Sequence, residues 1–164
     1  GAWSGPLVER LGHRAALESE RGYHLVLEGA SHRPPGPMML TDAKFVAGPM
    51  EDGLRLAGLV EFGGLDAPPS QAPVRLLRRR LRRLYPRLSW EGERVWMGHR
   101  PSTTDSLPVI GESPKAPGVW LAYGAQHLGL TMGPKTGRLI ADGMAGRRPN
   151  IDLAPVRPGR FDRP

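Results

Sequence analysis

An α+β fold with mainly antiparallel pairing is predicted by three features of the 164-residue sequence. Short apolar runs of strand length precede and follow a helix-patterned segment in the middle of the chain. A second helix-patterned segment stands near its end. The 22 glycines and 18 prolines are scattered without period, which means many turns and short elements and excludes a collagen or low-complexity reading.

The elements follow in order. "GAWSGPLVERLG" reads as the exit of a strand followed by a helix, and a chain opening at such a point is expected to be part of a longer one. "ERGYHLVLEG" (20–29) is a strand with Tyr23, Leu25 and Leu27 on one side and His24 and Val26 on the other. "SHRPPGP" (31–37) is a rigid loop, because its three prolines block both pairing and helix. "MMLTDAKFVAGP" and "LRLAGLVEFGG" read as two strands joined through "MEDG", with Asp52-Gly53 as the hairpin turn. Val74, Leu77, Leu81 and Leu84 then recur at three-and-four spacing and predict a helix over 74–85, ended by Pro86. "ERVWMGHRP" resumes a strand, and "LPVIG" and "GVWLAYG" are two more, separated by "ESPKAPG". A closing helix is predicted from Gly133 to Met144, with Pro134 in its first turn, an apolar face of Leu139, Ile140 and Met144, and a stop at Gly146 and Pro149. The tail "VRPGRF" reads as extended.

Bulk chemistry narrows the function. With 39% hydrophobic residues the chain can bury a core. The absence of cysteine excludes disulfides, thiolate zinc sites and cysteine nucleophiles. No apolar run approaches the roughly 18 residues of a membrane helix and no leader is visible, so a cytoplasmic location is expected. Much of the net charge of +7 sits in "VRLLRRRLRRLYPR". That segment is either a solvated basic face or a surface for phosphate groups or an anionic membrane. Tyr85 alone among aromatic residues stands in it, near its end, so stacking on single-stranded bases is unsupported.

"WLAYGAQHLGLTMGPKTG" gathers Gly124, Gly129, Gly133 and Gly137 around a strand end and a helix start. Glycines permit close backbone approach, and free helix amides attract negative charge, so an anionic or electron-rich ligand part is expected there. Arg100 is either a surface ion pair or a bidentate carboxylate clamp. His99 and His127 are acid–base candidates or merely structural. The five histidines lack ligand-like spacing, and no metal is expected. Asp105 among Ser102, Thr103, Thr104 and Ser106 reads as a local turn.

"GHRPSTTDSLPVIG" followed by "GVWLAYGAQHLGLTMGPKTGRLIADGMAGRRP" closely resembles the C-terminal part of FAD-dependent D-amino-acid dehydrogenases, in the wider family that includes glycine oxidase and sarcosine oxidase. "GAWSGPLVERLG" and "ERGYHLVL" also resemble this family's middle segments. The resemblance implies three parts: 1–15 ending an FAD-binding segment, 16–98 a substrate-binding antiparallel sheet, and 99–164 a C-terminal flavin-capping segment. No G-x-G-x-x-G occurs in the sequence, so the nucleotide-cradling N-terminal half is expected elsewhere and FAD is expected to bind this part alone weakly or not at all. By the same likeness Arg100 grips the carboxylate of a small amino-acid substrate, and hydride passes to the flavin. Tyr23 belongs either to the substrate pocket or to the core. The backbone of Pro108, Val109, Ile110 and Gly111 lies near the flavin ring, with Gly124, Gln126, His127, Leu128, Gly129 and Thr131 as further contacts. The family commonly has a histidine where Ala125 stands, leaving its task to Gln126 or His127. A homo-oligomer and a peripheral contact with the inner face of a membrane stay open, and nucleic acid is disfavoured. The rival readings are a basic interaction module acting through the arginine helix and a catalytically silent remnant.

Overall fold

A computed structural model describes residues 1–162. The chain forms two compact units, one made of Gly1–Glu20 with the chain from Arg100 onward, the other of Arg21–His99. The crossings between them fall within β1 (Leu17–Glu28) and β5 (Gly92–Thr103).

The Arg21–His99 unit is built on a five-stranded sheet in which β2 (Met38–Leu40), β3 (Phe45–Met50) and β4 (Gly53–Phe62) precede β1 and β5 in the order β2-β3-β4-β1-β5. The β2–β3 and β3–β4 pairings are antiparallel. Helix α2 (Ala72–Leu84) covers one face. Tyr23, Leu25 and Leu27, alternating along β1, meet Phe45, Leu54 and Leu56 from the neighbouring strands and Val74, Leu77 and Leu81 from α2. Period two on the strands and three-and-four on the helix therefore close one core. Leu84, the last helical residue, is 43% exposed and stands outside the stripe expected of it. On the sheet's other side the His24 ring stacks on Trp96 at 4.9 Å. Burial, then Arg55 and Arg94, lower the pKa of His24.

Two local expectations change. The strand predicted over 38–49 is split into β2 and β3, because Thr41–Lys44 turns the chain back so that Leu40 faces Phe45. The hairpin loop is Glu51-Asp52, since Met50 pairs with Gly53. Gly53 opens β4 at φ 149, and a Cβ there would sit 2.3 Å from the Leu27 carbonyl oxygen. Only glycine permits that approach.

Arg21, 2% exposed, ties the following loop to the sheet. Its guanidinium donates to the carbonyls of Gly63, Ala67 and Pro68 and lies 3.5 Å from Glu61. Glu61 also accepts the Tyr23 hydroxyl at 2.6 Å, and the Ser70 hydroxyl nearby together with that bond holds its carboxyl below the usual range.

The other unit opens with a 3-10 turn at Ala2–Ser4, where a strand exit was expected, followed by α1 (Gly5–Arg10). The antiparallel pair β6 (Val109–Glu112) and β7 (Trp120–Tyr123) runs in register from Val109↔Tyr123 to Glu112↔Trp120. Val8, Ala15, Val109 and Tyr123 form its core, with Leu17, Leu121 and Phe161 packed against it. The closing helix α3 (Gly129–Met144) begins four residues earlier than the sequence predicts and contains Pro134. Pro134 cannot donate to the Leu130 carbonyl, but Leu130 is 96% exposed, so that oxygen is not shut away from solvent. The tail is not extended. It makes a 3-10 turn at Ala154–Val156 and folds back onto the unit.

A polar knot fastens that return. His13, 4% exposed, bonds through Nδ1 to Asp162 at 2.8 Å and through Nε2 to Ser113 Oγ at 2.7 Å. Asp162 also accepts the Arg14 amide and pairs with Lys115. Burial alone would raise the Asp162 carboxyl; Lys115, the Arg14 amide and His13 outweigh it and hold its pKa at about 2. Nearby, Arg160 clasps Asp105 through Nε at 2.7 Å and Nη2 at 3.0 Å, and that bond first of all lowers the Asp105 pKa to about 2.

Candidate functional site

Most of the residues singled out in the sequence lie in the unit built from both chain ends, around the end of β5, β6 and the start of α3. The glycine-rich turn after β7 is pinned to β5 by the Gln126 amide donating to the Pro101 carbonyl at 3.0 Å. Gln126 takes φ 51, and Gly124, at φ 78, is buried so tightly that a Cβ would meet Thr103 Cγ2 at 2.6 Å. The turn's path is thus fixed by Pro101 on one side and Thr103 on the other. The residue next to Pro101 is Arg100, whose Nη1 is buried with no hydrogen-bond partner. A desolvated, unpaired guanidinium nitrogen is costly, and an anionic acceptor is the chemistry that relieves it.

Beside this turn a cleft of about 480 Å³ opens between β6–β7 and α3. Pro108, Ile110, Ala122 and Tyr123 form one wall, Ala125 its end, and Gly129, Gly133, Thr136, Gly137, Ile140, Ala141 and Met144 the other. Gly129, Gly133, Gly137 and Ala141 recur every fourth residue, hence along one ridge of α3. A Cβ built on Gly133 or Gly137 would meet nothing within 4 Å, so the helix presents bare backbone to the space. No charged side chain lines the cleft. Thr136 and Tyr123 are its polar side chains, and Gly129 brings the helix start to it, where the amides of Gly129, Leu130 and Thr131 precede the first α-helical bond, Met132 N–H to the Leu128 carbonyl at 2.8 Å.

The apolar walls and the helix start suit a planar conjugated ring with an electron-rich edge, and the unsatisfied guanidinium nitrogen of Arg100 suits a carboxylate. Of the residues singled out in the sequence, Pro108, Ile110 and Gly129 line this cleft, together with Ala125. Val109 is 1% exposed and points into the core, so only its backbone is available, and Gly111 is likewise buried. Gln126 is half-buried, while His127, Leu128 and Thr131 are exposed. Tyr23 belongs to the other unit, where its ring is 1% exposed and its hydroxyl is held between Glu61 and the Ser70 amide, the core position among its two alternatives. Asp105 makes the expected turn by accepting the Leu107 amide.

Two arrangements escaped the sequence. Arg160 reaches Asp105 across 55 residues, and the Asp162–His13–Ser113 line has the order of contacts of a nucleophile–base–acid triad. Ser113 is 2% exposed and its oxygen accepts the Lys115 and Ala116 amides, so it is a structural tie with no room for a substrate. No local spacing could have announced residues 100 and 149 positions apart. Among the described residues no group of three metal-ligating side chains converges.

Comparison with known proteins matches residues 1–143 to the DAO family, described as FAD dependent oxidoreductase. A D-amino-acid oxidase of Bradyrhizobium diazoefficiens is 40% identical over 98% of this chain and 39% of its own length. A glycine oxidase of Pseudomonas aeruginosa is 35% identical over 96% of this chain and 43% of its own. The chain therefore spans about two-fifths of the length of these relatives. Among solved structures, glycine oxidase from Geobacillus kaustophilus superposes with a TM-score of 0.76 at 25% identity, covering 98% of this chain and 44% of that one. L-proline dehydrogenase from P. horikoshii shares the fold at a TM-score of 0.79 and 18% identity, over 99% of this chain and 45% of that one.

Proposed function

The chain belongs to the DAO family of FAD-dependent oxidoreductases, and we propose that it forms the substrate-gripping and flavin-contacting part of an enzyme that oxidises a D-amino acid. On this reading residues 1–15 end the FAD-binding segment, 16–98 supply the substrate-binding sheet and 99–164 cap the flavin. The observation that carries the proposal is the buried, unpartnered Nη1 of Arg100, one residue from the carbonyl that anchors the Gln126 turn. The names of the relatives, D-amino-acid oxidase and glycine oxidase, support the substrate class.

Bound FAD supplies a hydride acceptor for the carbon that bears the amino group. The chain's own work is positioning. Arg100 binds the carboxylate and fixes which face of that carbon is presented. Pro108 and Ile110, with the backbone of Val109 and Gly111, offer a flat wall for the ring. Gly124, Gln126, His127 and Leu128 shape its edge. The helix start at Gly129–Thr131 would hold the electron-rich edge of the ring through its free amides. Ala125, lining the same space, takes no part in proton handling.

In the flavin-loaded enzyme, Arg100→Met removes a charge-assisted contact worth about 1.5–3 kcal/mol. The apparent KM for D-amino acids is expected to rise at least about tenfold, with flavin absorbance retained. Kinetics unchanged across a panel of D- and L-amino acids, or selectivity for the L series, would rule the proposal out.

A further inference from the structure

Helix α3 turns a second face away from the cleft, and the sequence that closes the helix, "GMAGRRPN", is basic. Gly146 takes φ 68, the left-handed conformation that folds the chain back over a helix terminus. The amides of Ala145, Gly146 and Arg147 then donate to the carbonyls of Ala141, Gly143 and Asp142. Backbone amides meet these carbonyls, so the guanidinium groups nearby are not spent on capping them. The same reversal sets the Arg147 side chain beside Asp142. Its Nε and Nη2 reach one carboxylate oxygen at 2.9 and 2.8 Å. Arg138, one turn earlier, reaches the other oxygen through Nε at 2.8 Å.

These three residues line a hollow of about 220 Å³ that Arg148 and Asn150 complete. Its acceptors are occupied and its donors are not. Both Asp142 oxygens take guanidinium N–H groups, and the Asn150 side-chain oxygen takes the Lys135 ammonium. Left over are Nη1 and Nη2 of Arg138, Nη1 of Arg147 and the Asn150 side-chain nitrogen. The whole Arg148 guanidinium is also left, with no hydrogen bond or ion pair among the described residues. Three guanidinium groups against one carboxylate leave the lining two charges positive. Asp152, the next carboxylate along the chain, turns to the Ala154 amide at 2.9 Å and lies outside the lining.

We propose that this hollow binds the phosphate group of a small molecule, with Arg138, Arg147 and Arg148 around its oxygens. A lining whose free atoms are all donors is matched by a group that only accepts, and forked guanidinium N–H pairs fit phosphate oxygens. The negative end of the helix opposes an anion there, but by less than one charge-assisted hydrogen bond favours it. The hollow shares no residue with the cleft. Arg138 and Asp142 each follow a cleft residue, Gly137 and Ala141, and so stand about 100° further round the helix. Asp142 also lies about 20 Å along the axis from Gly129, so the phosphate site is distinct from the helix start offered to the ring.

Isothermal titration calorimetry of the purified protein at low ionic strength, with inorganic phosphate and with AMP, tests this. A single saturable site is expected, and the two probes distinguish a site for free phosphate from one that prefers a phosphate ester. Arg148→Gln, which breaks no internal contact, is expected to weaken binding about tenfold. R138Q/R148Q is expected to remove it. Arg148→Lys keeps the charge without the fork and should fall between the parent and Arg148→Gln. Arg79→Gln removes the same charge from α2 and should bind as the parent does, and circular dichroism checks that each variant keeps its fold. Binding of neither probe, equal affinity of Arg148→Gln and the parent, or an equal loss in Arg79→Gln overturns the proposal.

Discussion

Helices α2 and α3 have similar lengths and opposite relations to their surroundings. α2 buries Val74, Leu77 and Leu81 to 1% exposure or less and shuts its side of the sheet. α3 buries Leu139 to the same degree but leaves Met144 at 65%, and its ridge of glycine and alanine borders an open cleft. One helix is shaped by what it touches within its unit. The other is shaped by what it leaves room for. A stripe of large apolar side chains is the mark of a finished core, and a stripe of missing side chains beside apolar walls is the mark of a partner yet to be supplied.

The contrast can be broken experimentally, and the largest effect belongs to the closed side. Leu77→Ala is expected to cost about 2–5 kcal/mol through lost burial and a cavity, read as a lowered urea midpoint. A cost no larger than that of a surface substitution would mean α2 is not sealed. Next comes the rigid floor of the open side. Gly124→Ala forces a Cβ to within 2.6 Å of Thr103 Cγ2 at φ 78, and should cost about 1–3 kcal/mol in that unit. Retention of parental stability would show that the turn can shift.

Acid acts on the unit that holds the cleft through two aspartates. Asp105 and Asp162 have folded pKa values of about 2 against an ordinary 3.8. The unfolded chain takes up these protons first, so their stabilisation is complete above the ordinary value and is lost as pH falls toward 2. Asp105→Asn should flatten the profile of unfolding midpoint against pH in that range, and an unaltered profile would remove the ion pair from the account. The smallest effect runs the other way. Gly137→Ala fills empty space on a helix and should stabilise by about 1 kcal/mol, while narrowing the cleft and weakening whatever ring occupies it. Stability gained without loss of flavin affinity would place the ring elsewhere.

Much of this was legible in the residues. Alternation in 23–27 and the three-and-four stripe of 74–81 each depend only on local period, and both elements stand as read. The start of α3 was misplaced because Pro134 looks like a first-turn proline, whereas solvent access at Leu130 lets the helix absorb it four residues further in. The turn inside 38–49 was hidden because Thr41–Lys44 lacks the glycine or proline that announces most reversals. At the site, motif residues Pro108, Ile110 and Gly129 were identifiable, but which of them face the cleft depends on β6–β7 register, and Val109 turned inward for that reason.

The tie between His13, Ser113 and Asp162 also has a bearing on the order of events at the ribosome. The 21–99 unit is one uninterrupted stretch and has all its partners once that stretch has emerged. His13 precedes that stretch, and its ring must wait 149 residues for its carboxylate. The segment around His13 therefore stays an unclaimed thread until Asp162 is made, and chaperone capture or proteolytic nicking during synthesis should reach it in that interval.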